Sequence, residues 1–498
     1  MQRILRCLGI FVWLTAVVLG RATTNDSATT FTGVLQDVGQ IGNLPSSQVG
    51  VGQIGNLPSS QVDNLRHEDG YRGIWYFNQP QKDEYVYKYS GGLGTYCADH
   101  IPMAYYSKEA NKTFFVYGGG GKDGRSLHEM VSCYDHATGM VPRPTDLMDK
   151  KTDDAHDNPT VMLDGAGYVW VFAAAHGTPR PAYVFRSRRP FSIDAFDLIE
   201  KTNFSYPQPW HFAGKGFLFL HTRYDPAHSL YSMTSPDGVT WTQPSRLASI
   251  EQGHYQVSWP WKDKLGTAFN YHPKIGGLNA RTNLYYLETA DFGRTWRNVA
   301  GEPVEAPLRT VENKALAHDY KAEKLLVYIC DINFDQQGRP VILYITSRGY
   351  AAGPTNGPRI WTTAHWTGEK WDIAGSIQSD SNYDMGSLYV ESDGVWRIVG
   401  PTEPGPQPFN PGGEVAMWVS RDQGKSWTKE KQLTHGSEFN HTYVRRPVNA
   451  HPDFYAYWAD GHARQPSESR LYFADKSGNV YRLPVKMRAD FERPELVR

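Results

Sequence analysis

A chain of 498 residues with 40% apolar and 21% charged residues has the composition of a globular protein, which excludes the disordered and fibrous classes. Its formal net charge of −1 gives no electrostatic reason to expect binding to nucleic acid or to an anionic membrane, so an anionic ligand would need a local basic cluster. The 15 tryptophans, 30 tyrosines and 47 glycines favour many short strands joined by tight turns.

The N-terminal segment 1–22 is predicted to be an export signal. Two arginines precede an apolar run from Leu8 to Leu19 that is too short for a membrane span, and Gly20-Arg-Ala22 supplies the small residues of a cleavage site. We therefore expect the mature chain to be secreted or periplasmic. Loss of the signal leaves an odd number of cysteines, which allows at most one disulfide and leaves a thiol free or metal-bound.

Residues 23–68 are predicted to form a disordered linker. The segment from Val38 to Val49 recurs verbatim from Val51 to Val62, which is a tandem copy with a thirteen-residue period. Its richness in Gly, Ser and Gln is typical of unstructured chain, and we assign it no chemistry.

The segment 69–486 is predicted to be all-β, a seven-bladed β-propeller, followed by a C-terminal tail at 487–498. Apolar runs such as Thr113–Tyr117 and Val341–Ile345 lie between Gly, Asp or Asn turns, and no stretch shows a sustained helical period. Roughly 410 residues at 40–60 per four-stranded blade give seven blades, although six or eight also fit. A β-helix is the rival fold, but its coils would be shorter and more regular.

Three turns repeat a hydroxyl, an Asp, a Gly and a Trp in nearly fixed order: Ser235–Trp241, Thr289–Trp296 and Ser420–Trp427. The Asp side chain can bond the backbone of its own turn, the Gly supplies a positive φ, and the Trp anchors the turn against a strand. Such boxes, each placed just after a β-rich run, indicate a blade-by-blade architecture.

Two histidines bracket the hairpin predicted at 156–176. His156 enters its first strand and His176 leaves its second, and antiparallel strands return to one sheet edge, so the two imidazoles can face one another. In a propeller such strand ends converge on the mouth of the central channel, where function is usually found. Two unrelated surface histidines are the alternative interpretation, and it stays open.

Further Tyr and Arg residues recur at comparable places in the next blades: Tyr206, Arg223, Tyr271 and Arg281. A glycosidase normally needs paired carboxylates, and few accompany this set. Elimination from a uronic acid needs Arg to neutralise the carboxylate, a base such as His to take the C5 proton, and an acid such as Tyr for the leaving oxygen. The set therefore favours β-elimination over hydrolysis.

The chain resembles the BNR-repeat propeller polysaccharide lyases, and among them the ulvan lyase group, which cleaves next to glucuronate or iduronate in sulfated rhamnose-uronate polymers. The resemblance rests on the boxes, on His156-Asp-Asn-Pro and on Ala-Ala-Ala-His176-Gly, and it covers roughly 69–483. The roles it implies are active-site histidines for His156 and His176, the catalytic tyrosine for Tyr206, carboxylate binding for Arg223, and substrate contact for Tyr271 and Arg281.

The same resemblance implies a structural zinc held by histidines and a cysteine, here His228, His318 and Cys330. This chain departs from the family after Cys330, where no histidine follows two residues on and Asp331 would have to replace it. Cys330 equally fits a small buried apolar residue at a strand end, so both interpretations remain open.

Two other classes of function are alternatives to a polysaccharide lyase. A sialidase-like hydrolase would need an arginine triad and a Tyr–Glu pair, whereas the chain offers only a late Pro358-Arg-Ile-Trp361. A non-catalytic glycan-binding propeller would share the boxes. We predict a monomeric, secreted lyase whose partner is an anionic polysaccharide, with no nucleic acid or membrane partner and with structural zinc as the sole cofactor considered.

Overall fold

A computed structural model of the protein describes residues 60–61, 65–121, 124 and 126–497, and the part of the chain from Leu57 onward clusters as one compact unit. The predicted signal peptide and almost all of the predicted linker, including its repeat except for residues 60–61, lie outside the described residues. The described part contains strands and three 3₁₀ helices: Ala155–Asp157, Gly277–Ala280 and Pro354–Asn356. None of its helices is long and apolar enough to cross a membrane.

The strands follow in chain order. Before the blades come β1 (Ser60–Gln61), β2 (Arg66–His67), β3 (Trp75–Pro80) and β4 (Tyr87–Gly92). Blade 1 comprises β5 (Ala104–Ser107), β6 (Lys112–Gly120), β7 (Leu127–Asp135) and β9 (Thr145–Asp149), and the short strand β8 (Val141–Pro142) lies between β7 and β9 in the chain without joining this sheet. Blade 2 comprises β10 (Pro159–Leu163), β11 (Val169–Ala173), β12 (Ala182–Ser187) and β13 (Phe196–Thr202). Blade 3 comprises β14 (Ser205–Phe212), β15 (Gly216–Tyr224), β16 (His228–Ser235) and β17 (Ser245–Ala248).

Blade 4 comprises β18 (Gln256–Trp261), β19 (Lys264–Tyr271), β20 (Thr282–Thr289), β21 (Trp296–Arg297), β22 (Pro303–Val304) and β23 (Leu316–His318). Blade 5 comprises β24 (Leu326–Phe334), β25 (Pro340–Ser347), β26 (Arg359–Trp366) and β27 (Trp371–Ser379). Blade 6 comprises β28 (Ser387–Val390), β29 (Trp396–Pro404), β30 (Gly413–Ser420) and β31 (Thr428–Gln432). Blade 7 comprises β32 (Asn440–Arg445), β33 (Ala456–Gly461), β34 (Leu471–Ala474) and β35 (Val480–Arg482), and β36 (Phe491–Glu492) and β37 (Glu495–Leu496) follow it.

The antiparallel blades confirm the predicted all-β, seven-bladed propeller, and blades 6 and 7 are joined into one sheet by the pairing of Gly413 with His441. The first strands of blades 1 to 6 contact one another in turn, so they surround the centre of the ring. Aromatic side chains fill the space between neighbouring sheets, as where Trp210 of blade 3 meets Trp259 of blade 4 with ring centroids 5.1 Å apart. The core therefore lies between the blades, and the strand ends remain at the two faces.

The ring closes where blade 7 meets blade 1. Phe115 of β6 packs against Tyr457 of β33 at 5.2 Å between centroids. The segment predicted as a tail contributes two strands there: β36 pairs with β8, and β37 pairs with β35. Strands β1 and β2, which fall within the predicted linker, pair with the outer strands β13 and β9.

The three boxes join the third and fourth strands of blades 3, 4 and 6. In each, the carboxylate accepts a hydrogen bond from a backbone N–H of its own turn: Asp237 from Thr240 at 2.7 Å, Asp291 from Thr295 at 2.9 Å and Asp422 from Ser426 at 3.0 Å. Gly238 has a φ of +74°, and a Cβ there would lie 2.5 Å from the Trp170 ring of the neighbouring blade. The box of blade 3 thus packs closely against blade 2.

Buried neutral histidines make the stability of this fold sensitive to acid. Burial lowers the pKa of His221 to about 3 and that of His254 to about 4. His254 accepts the Ile250 N–H at 2.9 Å and donates to the Asn270 carbonyl at 2.8 Å, which fixes its neutral form. Below about pH 6.5 the unfolded chain takes up protons that these folded histidines do not, so acid favours unfolding.

We expect the free energy of unfolding to fall as the pH drops from about 6.5 to about 4, by on the order of 1 kcal/mol per pH unit for each such histidine. Urea unfolding across this range measures the slope. His254→Gln should make the slope shallower, whereas His67→Gln at an exposed position should not change it. Equal slopes in the two variants would contradict the assignment.

Candidate active site

A cavity of about 290 Å³ opens at the face of the propeller where the first strands begin and the second strands end. The wall carries His156, His176, His228, Asp99 and Arg281. Seven tyrosines complete it: Tyr89, Tyr96, Tyr224, Tyr255, Tyr328, Tyr383 and Tyr443. The cavity is therefore a polar, aromatic channel mouth.

The structure brings the two predicted histidines together. Strands β10 and β11 pair with Pro159 opposite Ala173, which returns His176 to the end of the hairpin where His156 enters. Asp154 caps the short 3₁₀ helix by accepting the His156 N–H at 3.1 Å, and this turn aims the imidazole into the cavity. The two rings stack with centroids 3.9 Å apart and planes 14° apart.

One carboxylate orients both rings. Asp154 accepts from His156 Nδ1 at 2.6 Å and from His176 Nδ1 at 2.7 Å. The two neighbouring imidazoles outweigh burial and hold the pKa of Asp154 well below its usual range. Arg180 bonds Asp154 at 2.9 Å and Asp157 through two bonds of 2.8 and 2.9 Å, and Lys150 lies 3.5 Å from Asp157. The charges behind the histidines are thus paired.

These hydrogen bonds decide which imidazole nitrogens can accept a proton. Because each Nδ1 donates to Asp154, each neutral ring has its lone pair on Nε2. His156 Nε2 accepts from Tyr96 Oη at 2.7 Å and lies 3.1 Å from Tyr89 Oη, and burial keeps the pKa of His156 lowered. His176 has a side chain 28% exposed, and none of the hydrogen bonds among the described residues engages its Nε2. His176 is therefore the imidazole available to a ligand.

Arg281 is a buried cation without an anion. It is 7% exposed, and its guanidinium lies 4.6 Å from the ring centroids of both Tyr255 and Tyr328. Its Nε donates to the Leu278 carbonyl at 2.7 Å, but within the described part of the chain no carboxylate lies within the 4.0 Å of an ion pair. Burial and the charge of Arg281 lower the pKa of nearby Lys88 to about 6. This side of the cavity therefore carries a positive charge that an anionic ligand could pair with.

The hydroxyl groups of the wall hold their protons at neutral pH. Burial raises the pKa of Tyr96, Tyr224 and Tyr383 above the usual range, so each is a proton donor and not a phenolate. Tyr224 meets the His176 ring edge-on at 5.9 Å and the His228 ring at 4.4 Å. Burial also raises the pKa of Asp99 to about 7, which reduces the negative charge opposite Arg281.

Three predicted residues lie outside this cavity wall. Tyr206 is 1% exposed and lies behind the wall, with its hydroxyl 3.5 Å from that of Tyr224. Arg223 turns to the other side of β15, where its Nε donates to His221 Nε2 at 3.2 Å and its guanidinium lies 5.8 Å from the Tyr231 ring. Tyr271 is fully buried beside Tyr285, at 6.2 Å between centroids.

The predicted zinc ligands are not brought together. His228 faces the cavity, His318 Nε2 pairs with Glu323 at 2.5 Å on the outer strand β23, and Cys330 Sγ lies 3.5 Å from the Met385 sulfur in the core. Cys97, Cys133 and Cys330 are all free and buried. The three residues as placed do not fit one metal ion.

Asp154, His156 and His176 form a group of ligating atoms within 4.8 Å of one another. The separations of 2.6 and 2.7 Å from the carboxylate are those of hydrogen bonds. Ligands of a tetrahedral zinc ion with bonds of about 2.0–2.1 Å lie roughly 3.3 Å apart. The arrangement is thus that of a general base and its orienting carboxylate.

Several site residues were not predicted from the sequence. Asp154 precedes His156 at the spacing of a capping residue, and this signal could have found it. Tyr89 and Tyr96 come from the segment around β4 that precedes the blades, so blade periodicity gives no hint of them. Tyr224 directly follows Arg223, and only the register of β15 decides which of the two faces the cavity.

Comparison with known proteins shows which proteins the sequence resembles. Residues 131–378 match a BNR repeat-containing family. An ulvan lyase of Nonlabens ulvanivorans is 24% identical over 434 residues, which covers 76% of this chain and 86% of that protein. An ulvan lyase of Alteromonas sp. (strain LOR) is 23% identical over 400 residues, which covers 71% and 80%. The resemblance to the ulvan lyase group is confirmed.

Solved structures agree on the fold. A polysaccharide lyase described as an ulvan lyase superposes with a TM-score of 0.60 at 17% identity, covering 83% of this chain and 96% of that one. A second structure of such a lyase, bound to a repeat of glucuronic acid and sulfated rhamnose, gives 0.61 at 17% identity with the same coverage. With the sequence relatives, these findings confirm the predicted enzyme class, a polysaccharide lyase.

Proposed function

We propose that this protein is a secreted lyase that cleaves a uronate-containing polysaccharide by β-elimination, and that the polymer is a sulfated rhamnose-glucuronate of the ulvan type. The observation that carries the proposal is the lone guanidinium of Arg281 on the same cavity wall as the free Nε2 of His176. A buried cation without a carboxylate partner supports an acidic sugar as the ligand, and an oriented imidazole supports proton abstraction. Export rests on the predicted signal at 1–22.

In this mechanism Arg281 binds the carboxylate of the uronate. Pairing with the guanidinium neutralises the carboxylate and stabilises the negative charge that develops on it when the C5 proton leaves. Burial among tyrosine rings strengthens this effect, because the charge is screened by few water molecules. The same interaction explains why a neutral sugar would not react.

His176 acts as the base. Its Nδ1–H bond to Asp154 fixes the tautomer whose Nε2 accepts the C5 proton, and Asp154 stabilises the imidazolium that forms. As the electron pair shifts, the C4–O bond breaks, and a hydroxyl of the wall protonates the departing oxygen. Tyr224 suits this role because its hydroxyl keeps its proton and its ring contacts the base edge-on. Tyr206, behind it, positions the Tyr224 hydroxyl.

His156 positions the site and does not take the C5 proton. Its Nε2 is engaged by Tyr96 and its Nδ1 by Asp154, so it connects the tyrosine wall to the carboxylate that orients His176. The stacked arrangement also holds the His176 ring in one plane. The sequence predicts two active-site histidines without distinguishing them. We assign the role of base to His176 and a positioning role to His156.

The substrate assignment is tested with a panel of polymers. Carboxyl-reduced ulvan differs from ulvan only in the carboxyl group, whereas a glucuronan keeps the uronate and lacks the sulfated rhamnose. We expect turnover of the uronate polymers and none of the carboxyl-reduced ulvan. Cleavage of the reduced polymer at a comparable rate would overturn the proposal, and a preference for ulvan over glucuronan would support recognition of sulfated rhamnose.

A further inference from the structure

A second group of ligating side chains lies on the face of the propeller away from the catalytic cavity. His136 directly follows β7, the third strand of blade 1, and His451 and Asp453 lie in the turn between β32 and β33 of blade 7. The cavity occupies the face where first strands begin, whereas these turns lie where first and third strands end. The group therefore bridges the first and last blades at ring closure.

His136 carries a buried ring nitrogen that has no hydrogen-bond partner among the described residues. Its side chain is 2% exposed, and this nitrogen is Nδ1. Its Nε2 lies 2.8 Å from Thr113 Oγ1. With the Thr113 hydroxyl oxygen as acceptor of the Nε2–H, the lone pair of the neutral ring lies on Nδ1, and this is the tautomer that a metal ion at Nδ1 requires. A buried polar atom without a partner is costly, so this nitrogen calls for a ligand.

The ligating atoms converge on one point. The rings of His136 and His451 lie 3.9 Å apart, and the Asp453 Oδ2 lies 3.9 Å from His136 Nδ1 and 3.7 Å from His451 Nδ1. Movements of a few tenths of an ångström bring these atoms to the roughly 3.3 Å separation of tetrahedral zinc ligands. His451 Nδ1 accepts the Asp453 N–H at 3.2 Å, and a metal bond at this atom would replace that contact.

The electrostatics suit a cation. Burial, together with the neighbouring His451, lowers the pKa of His136 to about 4, so the ring is neutral at physiological pH and its lone pair is free. Asp453 supplies the negative charge and has a side chain 61% exposed, which leaves room for water as a further ligand. Two imidazoles and a carboxylate are the donor set of zinc and its neighbours in the first transition row.

We propose that His136, His451 and Asp453 bind one divalent transition-metal ion of the zinc class, and that this ion joins blade 1 to blade 7. The turn that carries His451 already contacts the first blade, since the Tyr106 N–H donates to the Val448 carbonyl at 2.9 Å. A ring of blades has no covalent link of its own where the last sheet meets the first. An ion held by residues of both blades stabilises the closed ring over the unfolded chain.

The test uses the full-length protein, stripped of metal with a chelator and titrated with Co²⁺, whose visible absorption reports tetrahedral nitrogen and oxygen ligation. We expect one equivalent bound to the parent protein, affinity lowered by ~100-fold or more in His136→Gln and His451→Gln, and by ~10-fold in Thr113→Val. His318→Gln is the matched control and should bind as the parent does. Zn²⁺ should raise the Tm of the parent and of this control only.

Unchanged Co²⁺ binding in His136→Gln and His451→Gln would overturn the proposal, as would loss of the equivalent in His318→Gln. Should His136→Gln fail to fold, substitution of His451, whose side chain is 23% exposed, and the graded effect of Thr113→Val keep the proposal testable. Absence of any bound equivalent in the parent protein would also overturn it.

Discussion

Replacing Arg281 by alanine is expected to lower kcat/KM on the uronate polymer by roughly 10³-fold, because one preorganised donor to developing negative charge contributes about 10²–10³-fold and this donor is also charged. The loss should appear in kcat as well as in KM, since the guanidinium stabilises the charge that forms when the C5 proton leaves. Arg281→Lys keeps the charge without the planar fork and should recover part of the rate. Initial rates over a range of polymer concentrations measure both constants.

Arg223→Ala is the matched control for this experiment. Arg223 lies one blade earlier, and the resemblance implies that it binds the carboxylate, but its guanidinium contacts His221 and Tyr231 outside the cavity wall. We expect its loss to affect stability more than turnover. If Arg223→Ala loses as much activity as Arg281→Ala while remaining folded, the carboxylate binds elsewhere and the assignment of Arg281 is wrong.

Replacing His176 by alanine is expected to lower kcat by about 10³-fold, within the 10²–10⁴-fold that a positioned base contributes. The KM should change little, because the base contributes little to ground-state binding. Added imidazole should restore part of the turnover, since the substitution leaves a space at the cavity wall where the imidazole ring of His176 lies in the parent protein. Circular dichroism and thermal unfolding show whether the variant is folded.

His156→Gln separates base from support. The amide can still bond Asp154 or Tyr96, so we expect a smaller loss than in His176→Ala and no rescue by imidazole. The opposite pattern, with rescue in a His156 variant and not in His176→Ala, would exchange the two roles.

The fold could be predicted almost completely from the sequence, because its signals are local. Each box carries its own hydrogen bonds, as Asp422 does with Ser426, and needs no distant partner to be recognised. Short apolar strands between turns then limit the number of blades to between six and eight, and the structure shows seven. The strands β36 and β37 could not be predicted, since they are stabilised by pairing with β8 and β35 rather than by their own composition.

The site could be predicted only where one hairpin builds it. His156 and His176 come together because antiparallel pairing of β10 with β11 fixes their meeting. Arg223 and Tyr224 show the limit: successive strand residues point to opposite faces, and a register that the sequence does not reveal turns Tyr224 inward. Tyr96 and Arg281 come from different parts of the chain, and only the closed ring places them on one wall.

The central claim is that the protein cuts its polysaccharide substrate by elimination at a uronate bound between Arg281 and His176. The most direct measurement follows two signals in one digest of ulvan: ultraviolet absorbance of the unsaturated uronate end, and new reducing ends. Elimination predicts that the two rise together, one chromophore for each new reducing end, and that both are lost in Arg281→Ala and His176→Ala. Reducing ends that rise without the chromophore would show hydrolysis and contradict the account.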